Sequence, residues 1–219
     1  MAHSILRLDL GMVNAYLIAG EAGFVLIDTG YVSHRSRVDA ALRGAGCDAG
    51  DLRLILLTHG DPDHTAHAAY LRDRYGARVA MHRAEAAAVE EGDMFLSRGS
   101  LPLLRRLMKP AMRLFRLRKR DRFTPDIFVE DGNRLDEYGL DATVLHVPGH
   151  SRGSIAVLTA DGDLFSGDFL ENRRRPSLAT LVDDAEALRA GFERVKRLEI
   201  ETVYPGHGAP FPLDGIRLA

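Results

Sequence analysis

The chain of 219 residues has one cysteine, Cys47, and no tryptophan. A lone cysteine closes no intramolecular disulfide, which excludes a disulfide-framed secreted scaffold, and it excludes a cysteine-built zinc site as well. No run approaches the ~18 apolar residues of a membrane-spanning helix. The opening Met1-Ala2-His3-Ser4 leads into alternating apolar and charged residues, without the apolar core of a signal peptide. A cytoplasmic protein is therefore expected. There is no Gly-x-Ser-x-Gly elbow, so a serine hydrolase has no nucleophile, and Gly30, Gly44 and Gly46 are wrongly spaced for a phosphate loop. Internal repeats and low-complexity tracts are missing too.

What remains is an ordinary globular composition, 46% hydrophobic and 27% charged, with a net charge of −2. The length suits a single domain, 1–219, with room for an insertion. Charge is distributed unevenly. Between Leu101 and Arg122 lie nine basic residues and one acid, so this segment is +8 and the remainder −10. An acidic remainder speaks against a nucleic-acid partner. Within 93–125 the apolar residues Leu104, Leu107, Met108, Ala111, Met112, Leu114 and Phe115 recur at helical spacing, with Pro102 and Pro110 as breaks. The segment reads as a helical insertion, either a lid over a site or a contact in a homodimer; binding to an anionic membrane surface or to nucleic acid is the less favoured reading.

Elsewhere short apolar runs alternate with helical patterns. Strands are expected at Ile5–Leu8, Met12–Ala19, Phe24–Asp28, Leu52–Leu57, Arg78–His82, Ile127–Glu130, Arg134–Asp136, Ala142–Val147, Ser154–Thr159, Asp163–Ser166 and Glu201–Tyr204. Helices are expected after an N-cap at Ser33, over Thr65–Tyr75 and Arg83–Glu91 with stops at Gly76 and Gly92, and from about Asp184 to Leu198, where Asp183 and Glu186 resemble a capping pair. The class is α/β (α+β).

The chemistry sits in the turns. Leu52–Leu57 runs into Thr58-His59-Gly60-Asp61-Pro62-Asp63-His64, Ala142–Val147 into Pro148-Gly149-His150, Asp163–Ser166 into Gly167-Asp168, and the last strand into Pro205-Gly206-His207-Gly208. A rigid strand aims the side chain that follows it, and Gly or Pro supplies the turn. Imidazole and carboxylate together suit zinc, iron or manganese.

These turns, in this order, resemble the metallo-β-lactamase superfamily, and most closely its glyoxalase-II-like branch of small metallohydrolases. Asn14-Ala15-Tyr16-Leu17 and Leu26-Ile27-Asp28-Thr29-Gly30 match the opening strands of that family, so the likeness covers the chain outside 93–125. The resemblance implies a four-layer αβ/βα sandwich with two divalent metal ions at one edge, zinc foremost. It implies that Asp63, His64 and His207 hold the second metal, that Asp168 bridges, and that His59 and His150 belong to the first. The family's usual histidine two positions after His59 is here Asp61. Read as a ligand, Asp61 adds negative charge and favours manganese or iron; read otherwise, it leaves the first site weak or empty. The implied activity is a metal-dependent hydrolase using a metal-bound hydroxide on an ester, thioester, lactone, amide or phosphoester, with Asp63 and Asp168 as catalytic residues and a small substrate, neutral or anionic. A non-haem (di)iron redox protein, as in the flavo-diiron reductases that carry a carboxylate at this place, and a metal-binding domain without catalysis are the alternatives.

Among the other candidates, Asp28 is expected to support the metal loop. His3 and His34 are read as solvated, His67 as a packing residue or a compensation for Asp61, His82 as ambiguous and His146 as structural. Cys47 reads as a small apolar residue. Arg173-Arg174-Arg175 could attract an anionic substrate.

Overall fold

A computed structural model of the chain describes residues 3–98 and 117–216. One sheet takes β1 (Ser4–Asp9), β2 (Asn14–Gly20), β3 (Gly23–Ile27), β4 (Leu52–Leu56), β5 (Arg78–Met81) and β6 (Ile127–Phe128) in chain order. The pairs β1–β2 and β2–β3 are antiparallel, and from β3 onward the strands run parallel. Parallel neighbours need crossovers. These are supplied by α1 (Arg35–Gly44), by the pair α2 (Pro62–Thr65) and α3 (Ala68–Tyr75), and by a stretch that includes α4 (Ala86–Glu91). The second sheet holds β7 (Ala142–His146), β8 (Ile155–Thr159) and β9 (Asp163–Gly167) as an antiparallel meander. A small hairpin, β10 (Leu170–Glu171) with β11 (Ser177–Leu178), and α5 (Ala185–Val195) follow. Then β12 (Thr202–Pro205) returns parallel to β9.

Alternation along the strands sorts the apolar residues into three cores. Leu17, Leu26, Ile55, Val79 and Met81 face outward from the first sheet onto Val38 and Leu42 of α1 and Leu71 and Tyr75 of α3. Their neighbours Ile18, Val25, Ile27, Leu54, Leu56 and Ala80 face Val144, Ile155, Val157 and Phe165 across the gap between the sheets. On the far side Leu145, Ala156, Leu164 and Val203 meet Leu188, Phe192 and Val195 of α5. Three apolar interfaces stack four layers, helix on sheet on sheet on helix. Cys47 is fully buried in the first core, and burial pushes its thiol up to about 12, so it is an apolar filler.

Several local expectations need correction. Ser33 caps nothing: it lies inside a tight turn, Val32–His34, and α1 begins after it. The helix expected over Thr65–Tyr75 is broken, because the His67 amide donates to Thr29 Oγ1 at 3.1 Å instead of continuing the helical ladder. Arg134 makes a single bridge to Thr143, and the chain then turns at Asp136–Tyr138, so no strand forms there. The cap of α5 is Asp184, whose carboxylate accepts from Glu186 N and Ala187 N, not Asp183. The stops at Gly76 and Gly92 are present, both left-handed.

Most of the basic segment, Leu104 to Phe115 included, lies outside the described residues, and the lid and dimer readings lie there with it. At its edges Leu117 and Phe123 are buried in the first outer core. No helix among the described residues is long and apolar enough to cross a membrane.

Candidate metal centre

The ligand-bearing turns all fall at one edge of the sandwich. The turn after β4 carries His59 and Asp61 and leads into α2, whose first turn holds Asp63 and His64. The turns after β7, β9 and β12 deliver His150, Asp168 and His207. The structure brings all seven residues together, and all but the half-buried Asp63 are buried. Their ligand atoms form three groups, each within 4.8 Å: His59, Asp61 and His150; His59, His64 and Asp168; and Asp63, His64 and His207.

Each imidazole is anchored through Nδ1, so its Nε2 points inward. His64 Nδ1 donates to Asp28 Oδ2 at 2.8 Å and His150 Nδ1 to the Leu181 carbonyl at 2.8 Å. His207 Nδ1 donates to the Met12 carbonyl, and His59 Nδ1 to Thr58 Oγ1 at 3.0 Å. The Thr58 hydroxyl in turn donates to Asp28 Oδ2 at 2.8 Å, so Asp28 steadies two of the four rings. Asp28 is the one described residue other than glycine with a positive φ, 59°. Such backbone strain persists where surrounding contacts impose it, and it is common at functional sites.

The inward atoms lie close. His64 Nε2 is 3.3 Å from Asp168 Oδ1, and His207 Nε2 is 3.2 Å from Asp168 Oδ2. Asp63 Oδ2 stands 3.5 Å from His207 Nε2 and 3.7 Å from His64 Nε2. Asp61 Oδ2 lies 3.3 Å from His150 Nε2 and 3.6 Å from His59 Nε2. Burial alone would push the carboxyls up, but the charges of their neighbours hold Asp61, beside Arg98, and Asp168, between His64 and His207, well below the usual range; Asp63 is lowered too. The imidazoles move the other way. Against burial, Asp168, Asp28 and Asp63 lift His64 well above its ordinary value, and Asp168 and Asp63 bring His207 to about 9.

The site is dense with donors and still leaves buried atoms without a hydrogen bond: His59 Nε2, His64 Nε2, Asp61 Oδ1 and Asp168 Oδ1. Orphaned buried polar atoms are costly and few in folded proteins. Orphaned atoms on four neighbouring residues of a nitrogen and oxygen donor set, three of them (His59, His64 and Asp168) in one group, fit divalent metal ions. Gly206 keeps that group open: a Cβ there would lie 2.6 Å from Asp168 Oδ1 and 2.7 Å from His64 Cε1. The His207 turn is also sewn to β2, with Asn14 Nδ2 donating to the Pro205 and Gly208 carbonyls and Tyr16 Oη to Pro205 O at 2.6 Å.

Two residues that sequence reasoning passed over belong to this edge. Glu85 is fully buried; its Oε2 accepts from Gly60 N, and its Oε1 from Ser151 Oγ and Gly153 N, each at 2.8 Å. It thereby ties the His59 turn to the His150 turn. Arg98 is buried as well, its Nη2 2.7 Å from Asp61 Oδ2 and 2.9 Å from His150 Nε2. The centre opens on a cavity of about 560 Å³. Asp61, Asp63, His150, Asp168 and His207 line it, together with Met94, Tyr31, Leu181, the buried Glu171 and Arg173. Arg173 Nε donates to Glu171 at 2.7 Å and is half exposed.

The remaining histidines are structural. His3 is not solvated: its ring nitrogens lie 3.1 Å and 3.0 Å from Asp161 and Asp163. His34 is half-buried, and burial lowers its pKa. His82 and His146 stack on one another, centroids 4.4 Å apart. His67 is fully buried and absent from the ligand groups, with both ring nitrogens unpartnered. Burial, with Arg35 and His34 nearby, lowers it to about 4. Folding therefore favours its neutral form, and this contribution is complete above the unfolded value near 6.5 and is lost as pH falls toward 4. The loss is about 3 kcal/mol from a shift of ~2.5 units. In urea titrations His67→Leu is expected to lose less stability between pH 7 and pH 4 than the parent; equal losses would refute the assignment.

A model of the family described as the metallo-beta-lactamase superfamily matches residues 8–207. The chain belongs to that superfamily. Among its relatives, the acyl-coenzyme A thioesterase MBLAC2 of Bos taurus is 32% identical over 228 residues, covering 94% of this chain and 77% of that protein. The hydroxyacylglutathione hydrolase GloC of Haemophilus influenzae is 34% identical over 122 residues, covering 55% of this chain and 50% of the relative. The solved structure of TTHA1623 in a di-iron-bound form superimposes with a TM-score of 0.72 at 30% identity, covering 96% of this chain and 95% of that one. The four-layer sandwich expected from the resemblance is thus the superfamily's fold.

Proposed function

We propose that this superfamily member is a metal-dependent hydrolase acting on a thioester of an anionic carrier. The observation that carries the reading is the convergence of four Nδ1-anchored imidazoles and three carboxylates at one edge of the sandwich, with Asp61, Asp63, His150, Asp168 and His207 lining one cavity. Asp63, His64, Asp168 and His207 would hold one ion, and His59, Asp61 and His150 are the residues that would hold a second. Zinc is the first candidate; Asp61 and the di-iron form of TTHA1623 keep iron open, and manganese with it. Bound there, a metal supplies Lewis-acid polarisation of the carbonyl and a more acidic water.

The protein's own residues do the rest. Asp63 has a lowered pKa, is partly exposed and lines the cavity, placed to accept a proton from the attacking water. Asp168 fixes His64 and His207 from between. Arg173 in the cavity lining suits the acidic groups of a carrier thiol, and Met94 and Leu181 suit an acyl chain. The reaction consumes water and a thioester and yields a carboxylate, a thiol and a proton. Both named relatives act on thioesters, which is the support for this substrate class.

The test is thiol release from an acyl-coenzyme A and from a hydroxyacylglutathione by metal-loaded protein. Turnover that stops on chelation and returns with metal is the expected result; no turnover of either thioester in loaded protein would overturn the substrate reading. Asp28→Asn exchanges an acceptor of His64 Nδ1–H for an amide, and metal affinity is expected to fall about 10–100-fold, measured by chelator competition.

A further inference from the structure

Asp61 and Arg98 form a pair that neither residue explains alone. Arg98 lies just past the turn Met94–Ser97, and Ser97 O accepts from Arg152 N at 3.1 Å, which holds this stretch against the His150 turn. Its side chain is 2% exposed. Its Nη2 meets Asp61 Oδ2 at 2.7 Å and His150 Nε2 at 2.9 Å. His150 Nδ1 donates to the Leu181 carbonyl, so in the neutral ring Nε2 carries the lone pair, and it faces the guanidinium with Asp61 Oδ2 beside it at 3.3 Å. Two of the three ligand atoms in the His59, Asp61 and His150 group are thus engaged by one NH₂ group.

We propose that Arg98 is the resident cation of this cluster: its guanidinium holds Asp61 and His150 in the place of a metal ion, so that the chain takes up one transition-metal ion, on Asp63, His64, Asp168 and His207, and not two. This rests on the metal reading and narrows it. The charge argument runs both ways. A carboxylate at position 61 gives the guanidinium a partner that a neutral imidazole would not. A divalent ion entering the cluster would face the buried positive charge at close range, or would have to expel it from Asp61 and leave it unpaired. The two residues are complementary, an acid where the superfamily's motif has histidine and a buried guanidinium reaching in to meet it.

The experiment is metal stoichiometry after loading with excess zinc and gel filtration, read by elemental analysis, with cobalt absorption titrated in parallel. The protein is expected to retain one ion per chain and to saturate at one equivalent of cobalt. Arg98→Ala is expected to bind two, with the second weaker. Because that variant leaves Asp61 unpaired and could fold poorly, Asp61→His/Arg98→Ala is the companion; it installs a neutral triad and is expected to bind two ions tightly. Circular dichroism and thermal melting verify folding in both. Two tightly held ions in the parent protein, or one ion in the double variant, would overturn the proposal. No ion in any of the three would overturn the metal reading itself, and the proposal with it.

Discussion

Asp168→Asn is expected to lower thioester turnover by about 10³-fold, equivalent to roughly 4 kcal/mol of barrier, while leaving the fold intact. Asp168 is the carboxylate between two of the imidazoles, 3.3 Å from His64 Nε2 and 3.2 Å from His207 Nε2, with a third, His150 Nε2, at 3.9 Å. Asparagine keeps the shape and removes the charge, so the change falls on whatever cation the site holds and on the imidazoles. Packing is spared, since Asp168 follows the end of β9 and the apolar cores lie behind it. The measurements are kcat, KM and metal content side by side with a thermal melt. Turnover within tenfold of the parent at full metal loading would remove Asp168 from the centre of the mechanism.

Glu85→Ala is expected to carry the largest cost in stability, about 4 kcal/mol. Three donors depend on that carboxylate, two of them backbone amides, and each buried donor left unsatisfied costs about 1–3 kcal/mol. Glu85→Gln retains one acceptor oxygen but turns an NH₂ toward an amide N–H, and is expected to lose roughly half as much. Urea unfolding at neutral pH decides the matter. A loss under 1 kcal/mol for the alanine variant would mean that water satisfies the Gly60 and Gly153 amides. Because Glu85 joins the His59 and His150 turns, metal affinity is expected to fall with stability in both variants.

The turn residues were legible because their signal is local. A glycine or proline beside a histidine or aspartate at the end of an apolar run states both the turn and a candidate ligand, and it does so at His150, Asp168 and His207 without knowledge of the rest of the chain. The strands at Leu17–Ile18 and Leu54–Ile55 were legible as apolar runs, but which neighbour faces which core was not, because both are apolar. Glu85 and Arg98 carry no such signal. Glu85 stands among alanines and glutamates, where an acid ordinarily faces water, and only the approach of Gly60 and Gly153 from distant turns makes it a buried acceptor. Arg98 reads as the first of many basic residues before the +8 segment, and its partners lie 37 and 52 positions away. The broken helix at His67 and the misplaced cap at Asp183 have the same cause: a tertiary hydrogen bond, or a choice between two adjacent acids, overrides local propensity.

The stitching of Asn14 and Tyr16 to the Pro205–Gly208 turn bears on the order in which the protein assembles. These contacts join positions 189 to 194 residues apart, so they close nearly the longest loop the chain can make, and closing entropy postpones them. On a ribosome, His207 emerges after every other candidate ligand. An ion captured early would be held by an incomplete set and exchanged freely; only the final strand, docking against the second, would slow its escape. Metal retention is therefore expected to report on the completion of folding, with the release rate, more than the affinity of any single half, as its gauge.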